Sequence, residues 1–173
     1  KYVNVFNCIH IYAEPSISDE KVLHAASIAA ELLDNNEDGV IDDDNIKTQL
    51  LNIYTIMPLF AYEGSSAENI LFDSFDDLIK NQNFCAGAVL YNNEISPLYP
   101  GFWGYDASVE EILHTINMCG HVEVYPDIFG LNPNSSQMSD AMDIARGGQF
   151  LTIPIEYPEE GWYHYDDWTC DYQ

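Results

Sequence analysis

The sequence predicts an α+β fold: a single domain spanning residues 1–173 in which helices pack on a small mixed sheet. Three observations carry this. The N-terminal segment alternates apolar and polar side chains, three later segments carry apolar residues at helical spacing, and strands and helices do not follow one another in a regular βαβ order. At 47% hydrophobic and 13% aromatic residues, the 173-residue chain can bury a core of ordinary size, and wholesale disorder is excluded. No internal repeat and no flexible linker divides it.

The elements follow in order. Val3, Val5, Ile9 and Ile11 share one face, with Tyr2, Asn4, Phe6, Cys8 and His10 on the other, so residues 2–12 read as a strand. Pro15 and Ser16 end it. Ser18 then caps a helix with Asp19 and Glu20 in its first turn and an apolar stripe of Val22, Leu23, Ala26, Ala29, Ala30 and Leu33. An acidic loop fills 34–45, and a second helix runs through Ile46, Leu50, Leu51 and Tyr54. The spacing of Ile70, Leu71, Phe75, Leu78 and Ile79 predicts a helix over 66–80, and residues 84–91 read as a short buried strand. The Pro-, Gly- and aromatic-rich stretch from Ser96 to Asp106 is an irregular connection. A helix from Val109 to about Cys119 has Ser108 as N-cap, Glu111 three residues on, and Gly120 as its stop. A shorter helix over 137–146 ends at Gly147-Gly148, and a strand at 149–155 precedes the aromatic tail Trp162–Trp168.

Five Lys or Arg against 29 Asp or Glu give a net charge of −24. So few cations cannot neutralise a row of phosphates, which excludes nucleic acid and an anionic membrane surface as partners. No apolar run approaches the roughly 18 residues of a membrane span. The field favours cations. Evenly spread carboxylates would indicate adaptation to a salty medium; here many are clustered, as in Asp42-Asp43-Asp44, Asp76-Asp77 and Asp166-Asp167.

Cys8, Cys85, Cys119 and Cys170 are even in number and contain no C-x-x-C pair, so two disulfides and a secreted, extracellular location are expected; the pairing stays open among three arrangements. Asn134-Ser135-Ser136 is a glycosylation sequon, in agreement with secretion. The start at Lys1 suggests a mature or trimmed product, and the dense aromatic sequence up to Gln173 suggests a natural chain that continues.

The acidic loop is the strongest signal. Asp34-Asn35-Asn36-Glu37-Asp38-Gly39-Val40-Ile41-Asp42-Asp43-Asp44-Asn45 fits the helix–loop–helix calcium pattern D-x-[DN]-x-[DN]-G. Ca²⁺ takes six to eight hard oxygens, which the side chains of Asp34, Asn36, Asp38, Asp42 and Asn45 and the Val40 carbonyl would supply. Gly39 makes the sharp turn and Ile41 plugs the loop onto its helices. Asn45 stands where a bidentate Glu is usual, which weakens binding toward the extracellular range unless Asp43 or Asp44 substitutes.

The second constellation lies on the helix that begins near Val109. Glu110 and His114, four residues apart, share a helical face and can reach one metal. Glu111 is about 100° round the helix, and His121 follows a Gly. Capping, helix dipole and ordinary packing account for the same residues without a metal. The segment resembles the active-site helix of zinc metallopeptidases (zincins), whose motif is H-E-x-x-H. That resemblance implies Glu110 in place of the first His ligand, Glu111 as general base, His114 as second ligand and His121 as a third, around Zn²⁺. A Glu where the family has His, and the seven-residue step to His121, depart from it. The succession of the calcium loop, E-E-x-x-H, Tyr125-Pro126, Met142-Asp-Ile-Ala-Arg146-Gly-Gly and Trp162-Tyr-His-Tyr-Asp-Asp also resembles a group of uncharacterised secreted proteins near the zincin superfamily, and implies no established activity.

His164, amid Tyr163, Tyr165, Asp166 and Asp167, is a further ligand candidate. Arg146, the only Arg, is expected to pair with a carboxylate at the helix C-terminus in a structural role. The expected function is that of a secreted Ca²⁺-binding domain with a divergent metallopeptidase-like site for a peptide substrate. The rival is a non-catalytic structural subunit that self-associates into an extracellular assembly or filament.

Overall fold

The alternating N-terminal segment folds into a hairpin. In the computed structural model, which describes residues 1–98, 106–132 and 135–145, β1 (Tyr2–Val5) pairs antiparallel with β2 (Ile9–Ala13), Val3 opposite Ile11 and Val5 opposite Ile9. Phe6 and Asn7 take positive φ of 51° and 60°, and the Cys8 N–H closes the turn on the Val5 carbonyl at 2.9 Å. Three turn residues preserve the odd–even parity. The predicted apolar face therefore survives although the single strand does not: Val5, Ile9, Ile11 and Ala13 are buried, while Tyr2 and Tyr12 stand exposed on the other face.

Helix α1 (Asp19–Leu33) begins where the sequence places it, with the Ser18 hydroxyl accepting from the Lys21 N–H at 3.3 Å. Its buried stripe is Val22, Ala25, Ala29 and Leu33, and Leu23 points outward. Helix α2 (Asp44–Asn52) is capped by the Asp43 carboxylate, which accepts from the N–H groups of Asn45 and Ile46.

A strand that the periodicity does not signal follows at once. β3 (Tyr54–Phe60) is buried at every residue from Thr55 to Phe60, so no alternation betrays it, and the helical reading ran on through Tyr54. It pairs parallel with β2, His10 opposite Ile56 and Ala13 opposite Leu59. On its other edge it pairs parallel with β4 (Phe84–Cys85) and, further along, with β5 (Leu90–Tyr91), giving a small mixed sheet. The single strand expected over 84–91 is thus interrupted at 86–89.

Pro58 explains the break. The Leu59 carbonyl bonds the Glu14 N–H on the β2 side and the Phe60 carbonyl bonds the Asn92 N–H on the β5 side. By alternation, Pro58 faces the β4/β5 edge, where it has no N–H to offer. The excursion it permits brings Gly87 directly onto a helix: a Cβ there would lie 2.5 Å from the Thr115 Cα and 2.7 Å from the His114 carbonyl oxygen.

Helix α3 (Ser66–Gln82) is capped by Ser65 and meets β4 through an edge-to-face contact of Phe75 with Phe84. Helix α4 (Ser108–Ile116) lies on the opposite sheet face, where the Thr115 hydroxyl donates to Met57 Sδ at 3.3 Å, and it packs against α1. Ser108 is not its N-cap. It occupies the first helical position, and the Asp106 carboxylate accepts from its N–H and its hydroxyl. Nor does Gly120 stop the helix, because the chain continues through a π-helical turn, Asn117–His121. Gly120 instead admits α2: a Cβ there would sit 3.3 Å from Ile46 Cγ2 and 3.5 Å from Leu50 Cδ2.

The disulfide Cys85–Cys119 fastens the β4 edge to this turn. Cys8, expected in a disulfide, has no sulfur partner among the described residues. It is fully buried, its thiol donates to the Lys47 carbonyl, and burial pushes its pKa up. Cys170 lies outside the described residues, as do Asn134, Arg146, His164 and the predicted strand at 149–155.

The helices and the small mixed sheet make an α+β fold, within which the chain forms two compact units, Lys1–Gly120 and His121–Gln173. In the second, α5 (Val122–Val124), α6 (Pro126–Phe129) and α7 (Gln137–Ala145) follow one another. Ser136 caps α7 by accepting from the Ser139 N–H and donates to the Gly130 carbonyl at 2.6 Å. None of the described helices is long and apolar enough to cross a membrane.

Candidate metal centres

The calcium-type loop hangs between α1 and α2 on two apolar pegs, Leu33 and Ile41, both about 4% exposed. The Asp42 N–H reaches back to the Leu33 carbonyl at 2.9 Å and closes the loop's base. Asp34 is 5% exposed. Its Oδ1 accepts from the Asp38 N–H at 3.1 Å and its Oδ2 from the Gly39 N–H at 2.7 Å. Asn36 Oδ1 also accepts from the Asp38 N–H, and Asp38 Oδ1 from the Val40 N–H. Asp42 takes the Asn35 N–H and both the Asn35 and Asn36 side-chain amides. Glu37 at φ 59° and Gly39 at φ 86° make the reversal that aims these N–H groups inward.

Four of the predicted ligands, Asp34, Asn36, Asp38 and Asp42, therefore share one web of hydrogen bonds. Asp42 Oδ2 spends both its lone pairs on the Asn35 N–H and side-chain amide, whereas both oxygens of Asp34 and of Asp38 and the Oδ1 of Asp42 each keep a lone pair for a cation. The donor set is all oxygen, which fits a hard cation such as Ca²⁺ and not a thiolate- or imidazole-seeking metal. At the twelfth position the structure is selective: Asp43 is spent on capping α2, which leaves Asn45 or Asp44, both in the first turn of α2, to complete a shell.

On α4, Glu110, Glu111 and His114 are all half-buried. The carboxylate set against His114 is that of Glu111, the general-base candidate, with its Oε2 3.7 Å from Nδ1. Glu111 is not held in a capping box with Ser108, since its own N–H bonds the Ala107 carbonyl. His121 belongs to the second unit, where its ring stacks on Phe129 at 4.8 Å between centroids. Among the described residues, no three His, Cys, Asp or Glu side chains gather at metal-binding spacing.

No family model, curated protein or solved structure matches the chain. Function therefore rests on the side chains alone.

Two polar clusters escaped the sequence reading. His24 Nε2 lies 2.5 Å from Asp106 Oδ2, while Asp106 Oδ1 accepts from the Ser96 N–H and from Ser108. Burial raises the Asp106 pKa, but the bonds from His24, Ser96 and Ser108 outweigh it, and the net direction is downward. The partners are 82 residues apart in sequence, so no local pattern signals them. At the carboxyl ends of β3 and β5, Glu68 is 4% exposed and accepts from the Gly64 N–H and, at 2.5 Å, from the Tyr91 hydroxyl. Burial and that carboxylate hold the Tyr91 pKa well above the ordinary tyrosine range. The S-x-x-E spacing of Ser65 and Glu68 was the available signal.

Proposed function

We propose that the chain is a secreted, calcium-stabilised α+β domain in which the loop from Asp34 to Asn45 holds one Ca²⁺. The observation that carries the reading is the single web of hydrogen bonds that joins Asp34, Asn36, Asp38 and Asp42 in a loop closed at its base between two helices, a web that a cation would have to draw in to metal-binding spacing. Bringing three carboxylates and their acidic neighbours together costs Coulomb energy that a divalent cation offsets. The Cys85–Cys119 disulfide supports an oxidising compartment. Thermal melts in the presence of Ca²⁺ and of excess chelator test it. A lower melting temperature in chelator is expected, and identical melts would refute it.

A second reading, metal-assisted peptide hydrolysis on α4, is favoured by the approach of His114 to Glu111, which sets a ligand candidate beside a base. A metal there would draw on Glu110 and His114. Zn²⁺ would polarise a substrate carbonyl, and Glu111 would hold the proton of the attacking water at its carboxylate.

A further inference from the structure

The sheet face opposite α1 and α4 is only partly covered by α3. Between that helix and β2 runs a cavity of about 480 Å³, of the size small-molecule sites occupy. Its walls are apolar: Ala67 and Leu71 of α3 on one side, Ile56 of β3 on the other, with Tyr12 and Tyr54 along its length and Glu14 also in the lining. The Tyr12 and Tyr54 hydroxyls bond each other, and this bond pushes the Tyr54 pKa up to about 12. Tyr54 also stacks on His10 at 4.3 Å, which holds it in place.

Glu14 supplies the chemistry that selects a ligand. Its Oε1 accepts from the Ala61 N–H at 2.9 Å and from the Ser65 hydroxyl at 2.8 Å. These two bonds fix the carboxylate, and Oε2 has no hydrogen bond among the described residues. Lys1, which also lines the cavity, has its side-chain ammonium pinned by Asp19 at 2.7 Å and by the Ile17 carbonyl, and its terminal ammonium bonded to the Ala13 carbonyl at 2.5 Å. A fixed carboxylate with an unused oxygen, two tyrosine rings and apolar walls, in a chain of net charge −24, together suit an organic cation. Anions are repelled by the field, and a wholly apolar ligand would leave Glu14 unanswered.

We propose that this groove binds a small organic amine, an apolar body carrying one ammonium group, with Glu14 as its counter-charge and Tyr12 and Tyr54 as its aromatic wall. The test is calorimetric titration of the intact chain with three probes of one shape and different charge: 4-phenylbutylamine, 4-phenylbutanol and 4-phenylbutyrate. The amine should bind 1:1, about tenfold tighter than the alcohol, with no detectable heat for the carboxylate. Glu14→Gln, which keeps an oxygen for Ala61 and Ser65, should bring the amine down to the affinity of the alcohol and leave the alcohol unchanged. Ala67→Trp should fill the groove and abolish both, with a native melt confirming that the variant is folded. Equal affinities for amine and alcohol in the wild type would overturn the proposal, as would amine binding indifferent to both substitutions, which would mean diffuse attraction to the acidic surface. A concentration-dependent dimer that Ala67→Trp dissolves would assign the groove to a second copy and overturn it equally.

Discussion

Removing the Cys85–Cys119 bridge should be the most damaging single covalent change to the first unit. The residues it joins are 34 apart, and Cys119 is fully buried. The chain-entropy relation for a loop of that length gives about 4 kcal/mol of stabilisation at 25 °C, acting on the unfolded chain. Domains of this size hold about 5–15 kcal/mol in total, so the loss is about a quarter or more. In the double variant Cys85→Ala/Cys119→Ala, the urea midpoint should fall by the equivalent of about 3–5 kcal/mol, with a melting temperature lower by roughly 10 °C. Non-reducing peptide mapping of the wild type should recover the 85–119 cross-linked pair. A loss below about 1 kcal/mol would refute the reasoning, because the bridge would then restrain nothing that the packing of Gly87 on α4 does not already restrain.

Three further outcomes follow from named contacts. Gly87→Ala places a methyl 2.5 Å from the Thr115 Cα, backbone on backbone, so α4 and the 86–89 excursion must part; a loss of about 2–3 kcal/mol in urea melts is expected, and a silent substitution would contradict the close approach. Asp106, with its pKa held below the ordinary carboxylate range, contributes stability that is present above about pH 4 and lost as the pH falls through the lowered folded value. Asp106→Asn should therefore cost about 1–3 kcal/mol at pH 7 and flatten the acid limb of stability against pH, and an unchanged limb would show that Asp106 has no part in it. If α4 carries a transition metal, zinc content should fall in His114→Ala relative to wild type, whereas equal zinc in both proteins would remove the site.

The helices were legible where capping and periodicity agree. Ser18 and the apolar spacing from Ile70 to Ile79 place α1 and α3 within a residue or two of where they lie. β3 was not, because a strand buried on both faces has no alternation and Pro58 speaks against it locally. Only its position beside the broken β4/β5 edge makes Pro58 acceptable. Gly120 was misread for a related reason: a glycine after a helical stretch signals a stop, yet here it clears space for Ile46 and Leu50, which lie some 70 residues earlier. Of the candidate centres, the loop was legible because its ligands are consecutive and its turn chemistry is local. Its use of Asp43 as a helix cap was hidden, since the same residue type serves both roles. On α4 the i, i+4 pairing of Glu110 with His114 was the expected one, and the i, i+3 carboxylate of Glu111 is the one found beside the imidazole.

The calcium loop is tested most directly by calorimetric titration of the metal-stripped protein with Ca²⁺, wild type against Asp34→Ala. One site is expected, with a dissociation constant of about 10⁻⁴–10⁻³ M given the neutral Asn45, and stabilisation of about 2.7 kcal/mol at a hundredfold excess of Ca²⁺ over that constant. Asp34→Ala should abolish both the binding heat and the stabilisation. No saturable heat from the wild type, or an Asp34→Ala variant that binds as well, would contradict it.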